Sequence, residues 1–251
     1  MSGHSKWATI KRKKGAADAK RGQVFTRLTR EIVMAAREGG GDPEANFRLR
    51  LAVERARNQN MPKENIERAI KRGAGEGKEG NTFEEVMYEG YAPNGVALMI
   101  ECVTENRNRT VAEIRHILTR SGGNMGEAGS VGWQFNRAAY FSLPGQGKDF
   151  DTIFELAVEG GADDVTQDDD TFEIIGPVES FKTLSDRLRT ASVQVEEAGL
   201  RMLPNQEMEL SVEQTLQVLR TIDALEELDD VQNVFSNLKI SEEALAAMES
   251  E

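Results

Sequence analysis

The sequence predicts an α+β multidomain protein that begins with a basic three-helix domain. Three observations carry this. Residues up to about Gly73 hold apolar stripes at helical spacing joined by short loops. A glycine-rich stretch, Gly73-Ala74-Gly75-Glu76-Gly77-Lys78-Glu79-Gly80, then reads as a linker. Beyond it, helical and alternating patterns succeed each other with Gly/Pro punctuation.

Residues 1–14 read as an arm, because Ser2, Gly3 and Ser5 discourage a helix and Lys11-Arg12-Lys13-Lys14 is self-repelling. Trp7 is expected to anchor the arm on the helices behind it rather than to stack on a base. From about Ala16 to Glu38, Val24, Phe25, Leu28, Ile32, Val33 and Ala36 form one stripe of a helix. Lys20, Arg21, Arg27 and Arg30 fall mostly off it and are expected to face water or a ligand. Gly39-Gly40-Gly41 ends that helix. Asp42 as N-cap and Pro43 at the first position predict a second helix to about Asn58. Met61-Pro62 opens a third, stopped by Gly73. The apolar face of these helices is thin, so they should lean on the rest of the protein.

Strands are expected at Phe83–Tyr88 and Val96–Thr104, around the Ala92-Pro93-Asn94-Gly95 turn. Thr110 to Glu113 reads as a capping box that starts a helix with Ile114, Ile117 and Leu118 inside. Ser130 to Phe135 alternates as a strand. Ala139–Leu143 is a strand, Phe150–Glu159 a helix with Ile153, Phe154, Leu156 and Ala157 inside, and Phe172–Ile175 a strand. A helix over Val178–Ala191 leads to an extended piece ending near Leu203. Val212–Leu228 reads as a helix and Val231–Phe235 as a strand.

Charge is unevenly divided. Of 251 residues, with a formal net charge of −12, the first 72 hold 18 Lys/Arg against 8 Asp/Glu, a net of +10, and the remainder carries −22. Nine positive charges lie in the first thirty residues: Lys6, Lys11, Arg12, Lys13, Lys14, Lys20, Arg21, Arg27 and Arg30, against Asp18 alone. Charges packed so densely repel until a polyanion neutralises them, which points to nucleic acid. A merely solubilising tail would have no need to oppose the sign of the body. The acidic remainder would be repelled by the same polyanion, biasing the bound orientation. Asn106-Arg107-Asn108-Arg109-Thr110 is a second contact loop by its donors and its place before a helix. A loop whose asparagines only form turns fits it equally.

Other chemistry is not expected. There is no run of 18 apolar residues for a membrane span, and the N-terminus lacks the apolar core of a secretory signal. The single cysteine, Cys102, allows no internal disulfide, fits a reducing cytoplasm, and sits in an apolar strand pattern as a buried thiol. His4 and His116 are far apart in sequence, and the acids Asp163, Asp164, Asp168, Asp169 and Asp170 lack calcium-loop spacing, so they read as a solvated turn. No nucleophile elbow or phosphate loop is present. No metal, cofactor or catalytic residue is expected, and an enzyme on an acidic-rimmed cleft is the least favoured reading.

Several motifs resemble one family. Gly3-His4-Ser5-Lys6-Trp7, Asp18-Ala-Lys20-Arg21-Gly22, Gly39-Gly-Gly-Asp42-Pro43, Tyr88-Glu89-Gly90-Tyr91 and Asn106 through Arg115 are similar to the YebC family, in order from residue 3 to about 240. The resemblance implies three domains: a helical one over 1–80, an α+β domain over 81–135 and 206–251, and an α+β domain over 136–205 inserted into it. It implies a cytoplasmic DNA-binding transcriptional regulator. The alternative is a ribosome-associated translation factor that binds ribosomal RNA and eases passage through proline-rich stretches. It brings no catalytic residues.

Overall fold

The computed structural model describes residues 19–75, 83–145, 147, 149–168 and 171–250. It is α+β. Helix α1 spans Ala19–Gly39, α2 Phe47–Asn58 and α3 Lys63–Gly73. They enclose a core of Leu28, Ile32, Leu49, Val53, Ala56 and Ile66. Phe83 and Val103, from outside the three helices, complete that core, so the thin bundle does lean on its neighbour. α3 crosses α1 so closely that a Cβ on Gly73 would lie 2.4 Å from the Val33 carbonyl oxygen.

The second helix starts later than its Asp42-Pro43 signal. Asp42 instead closes a turn, its Oδ1 accepting from the Glu44 amide and its carbonyl from Asn46. Asn46 is the N-cap, taking the Leu49 amide at 3.1 Å. Its amide group donates to the carbonyls of Ala35 and Gly40, which ties the start of α2 to the end of α1.

The first sheet runs β3-β1-β2-β9, with β1 Glu84–Tyr91, β2 Ala97–Thr104, β3 Asn124–Met125 and β9 Val231–Ser236, all antiparallel. One face carries Leu98, Ile100 and Cys102 against α4 Arg107–Ser121, α7 Val212–Glu226 and α8 Glu242–Ser250. The other face meets the three-helix core at Val103. A two-residue parallel ladder joins β8 Met208–Glu209 to β10 Leu238–Lys239.

Between β3 and β8 the chain builds a second sheet, ordered β5-β6-β4-β7. Its elements are β4 Phe135–Pro144, α5 Phe150–Glu159, β5 Asp164–Asp168, β6 Thr171–Pro177, α6 Phe181–Thr190 and β7 Glu197–Pro204. That order is a split βαβ arrangement with both helices on one face, over Phe141, Leu143, Phe172 and Ile174. The inserted α+β unit implied by the family resemblance is therefore present.

Three expectations are corrected. The acids at 163–168 are not a solvated turn: Asp164–Asp168 is an edge strand paired with β6 (Asp169 and Asp170 lie outside the described residues). Phe154 is not inside α5 but 45% exposed, forming an outward stripe with Phe150 and Val158. Residues 130–135 do not form one strand. A 3-10 turn over Gly132–Gln134 interrupts the alternation, burying Val131 and Phe135 and leaving Trp133 73% exposed.

Candidate nucleic-acid interface

Lys6, Lys11, Arg12, Lys13 and Lys14, with Trp7, lie outside the described residues. Lys20 and Arg21 lie in the first turn of α1, which opens with no acidic residue. Their side chains are outside the described set.

The remaining two charges of the group are placed by α1, and not as expected. Arg30 is 8% exposed. Its Nη2 lies 2.8 Å from Asp230 Oδ1, and its Nη1 donates to the Asp229 carbonyl. Its guanidinium also stacks over Phe83, 5.5 Å from the ring centre. Arg27 is half-buried beside Glu226 and Asp229, and burial lowers its pKa. Gln23, one turn earlier, donates to the Glu227 carbonyl at the C-terminus of α7. Gln23, Arg27 and Arg30 lie at spacings of four and three, so they share a helix face. That face docks on the acidic segment 226–230. The apolar stripe alone did not reveal this, because the partner of the face is polar and lies some 200 residues away. The expectation that Arg30 faces water or a ligand is overturned.

Asp230 is the centre of the junction and is 2% exposed. Besides Arg30 it accepts from Arg109 Nη2 at 2.7 and 2.9 Å, Thr110 Oγ1 at 2.7 Å and Thr104 Oγ1 at 3.0 Å. Burial alone would raise its pKa. The hydrogen bonds from Arg109 and Thr110, the Arg30 charge and the Thr104 hydroxyl outweigh that and hold the carboxyl below its ordinary range. Sequence reasoning missed Asp230. The signal available was that the last acid of an acidic run, directly before an apolar strand, needs a partner if the strand is buried.

The second contact loop is not a loop. Asn106 is the N-cap of α4, accepting from the Arg109 amide at 3.1 Å, so Arg107, Asn108 and Arg109 are its first turn. Thr110, expected to cap the helix, is buried within it. Arg107 forms an ion pair with Glu84 at 2.5 Å, and Arg109 with Asp230. Asn108 is exposed. The motif thus serves the junction through Asn106, Arg109 and Thr110, and presents Arg107 and Asn108 outward.

A cleft of about 290 Å³ opens along the outer edge of this junction, lined by Phe25, Thr29, Arg30, Arg72, Phe83 and Glu105. Arg72 lies over the Phe83 ring at 4.5 Å and pairs with Glu105. Cys102 is buried, and burial first of all pushes its thiol up to about 12, so it is no nucleophile at neutral pH. Among the described residues no group of three His, Cys, Asp or Glu is placed to hold a metal ion, and no helix is long and apolar enough to cross a membrane.

Comparison with known proteins fits this architecture. Residues 5–76 match the model of the TACO1/YebC protein N-terminal domain, and residues 83–238 that of the TACO1/YebC second and third domain. A protein of Chlorobaculum parvum is 50% identical over the whole length of both chains. One of Citrifermentans bemidjiense is 48% identical over 99% of this chain and all of its own. Each is named a probable transcriptional regulatory protein. A crystal structure of a conserved hypothetical protein from Aquifex aeolicus, 44% identical, superposes with a TM-score of 0.82 over 90% of this chain and 93% of that one. Two domain models in sequence order, relatives of half-identical sequence at full length and a shared fold agree: the chain belongs to the TACO1/YebC family.

Proposed function

We propose that the protein is a nucleic-acid-binding regulator of gene expression that acts on DNA through its basic N-terminal arm and the first turns of α1, with no catalytic step of its own. The observation that carries this reading is the charge partition: +10 in residues 1–72 against −22 in the rest. The names of the relatives support it. Arg27 and Arg30 are engaged by segment 226–230, so at most seven of the nine N-terminal charges are left for phosphates. They are Lys6, Lys11, Arg12, Lys13, Lys14, Lys20 and Arg21.

A second reading keeps the arm and changes the polyanion to ribosomal RNA, with the protein working in translation. Its support is that a dense lysine and arginine cluster suits phosphates more than base edges. Co-sedimentation from lysate separates the two. Loss of particle association after DNase, with selective retention of promoter fragments, supports transcription. Association with ribosomal particles that survives DNase overturns it in favour of translation.

A further inference from the structure

Trp133 is the most exposed large apolar side chain among the described residues, at 73%. It stands on a loop built to hold it still. The Glu89 carboxylate accepts from the amides of Gly129 at 2.7 Å, Val131 at 2.7 Å and Gly132 at 2.9 Å. The Glu89 carbonyl takes the Gly126 amide, and Asn205 Nδ2 donates to the Trp133 carbonyl at 3.0 Å. On either side of Trp133 in the chain, Val131 and Phe135 are buried with Met99 in a small cluster that also takes in Tyr91 and Met202. The indole Nε1 already donates to the Ser130 carbonyl at 3.1 Å, which Tyr91 Oη also reaches at 3.2 Å.

Two features decide what such a ring would meet. Its only donor is satisfied within the loop, so the group left on offer is the π face. No other exposed large apolar side chain lies in the loop: the rest, Met87, Phe150, Phe154 and Val158, belong to β1 and α5. A protein interface wants a contiguous apolar core, as the α5 stripe offers. A single exposed aromatic on a hydrogen-bonded loop suits a stacked base, which needs a face and little else.

We propose that Trp133 is a stacking platform for an unpaired nucleobase, a contact to nucleic acid that does not depend on charge. It rests on the nucleic-acid reading of the arm and adds single-stranded or unstacked character to the ligand. The chain has two tryptophans. In full-length protein carrying Trp7→Phe, Trp133 is the sole tryptophan reporter. The probes are oligouridylate, oligothymidylate of equal length, a duplex, and inorganic polyphosphate. The single strands are expected to quench Trp133 emission, and the more strongly quenching one identifies RNA or DNA as the source of the base. Duplex and polyphosphate should compete for the arm without quenching. Trp133→Ala should weaken single-strand binding roughly 5- to 100-fold at an unchanged salt slope, and Trp133→Phe should recover part of it. Because the ring is exposed, the urea midpoint should not move. Salt-sensitive, arm-dependent binding without quenching, and equal affinity in Trp133→Ala, would overturn the stacking site and leave the arm reading intact. A blue shift with ribosomal proteins and no quenching by any oligonucleotide would assign the ring to a protein partner and also overturn it. Absence of arm-dependent binding to every probe would overturn both.

Discussion

Asp230 shows how much one buried carboxylate can organise. It joins α1, the end of β2 and the first turn of α4 through Arg30, Thr104, Arg109 and Thr110. Removing one side of a buried charged pair leaves the other uncompensated, so Asp230→Ala should cost about 3–5 kcal/mol of stability by urea unfolding. Arg30→Met with Asp230→Leu should cost less than the sum of the singles, which a double-mutant cycle reads as coupling. The pH dependence follows from the direction of the shift. The folded carboxyl titrates below its unfolded value, so its contribution is fully present above the ordinary carboxylate range and is lost as pH falls through the folded value. Wild type should therefore lose stability on acidification more steeply than Asp230→Asn in that window.

Helix starts decide the element scale. Asn106 caps α4, and Asn106→Ala should lower stability by about 0.5–2 kcal/mol at an unchanged denaturant slope. Asn108→Ala, at an exposed position of the same turn, should leave the midpoint in place. The reverse order of effects would restore the motif to a free contact loop. Both helix starts were misread for one reason: several polar residues in a row each offer a credible cap. Local sequence does not say which one the tertiary structure uses. Asp42 lost to Asn46 because Asn46 also reaches the carbonyls at the end of α1. Thr110 lost to Asn106 because Asp230 takes its hydroxyl. The edge strand β5 escaped notice because only Val165 among its described side chains is buried, and an edge tolerates acids. By contrast, the bounds of Phe150–Glu159 were legible to the residue, although its inward face was not, since Phe154 points outward.

Across the whole molecule, the basic segment and the acidic body are not simply opposed. Segment 226–230 of the body holds one face of α1, so part of the positive charge is neutralised internally and the rest belongs to the arm and the first turn of α1. Composition made the partition legible. It could not show which charges are already engaged, because that depends on a contact between positions 30 and 230. The insertion of the second sheet is non-local in the same way, since β2 pairs with β9 across the whole inserted unit.

The arm, and not the docked face of α1, is proposed to meet the phosphates of a nucleic acid. The direct measurement is the salt dependence of binding for wild type and for the protein with Lys11, Arg12, Lys13 and Lys14 all changed to alanine. If five to seven phosphates are neutralised, wild-type log affinity should fall with log salt at a slope of roughly −4 to −6 on duplex DNA. The fourfold variant should flatten that slope by about 3 to 4 and weaken binding to all sequences alike. An unchanged slope and affinity in the fourfold variant would contradict the account.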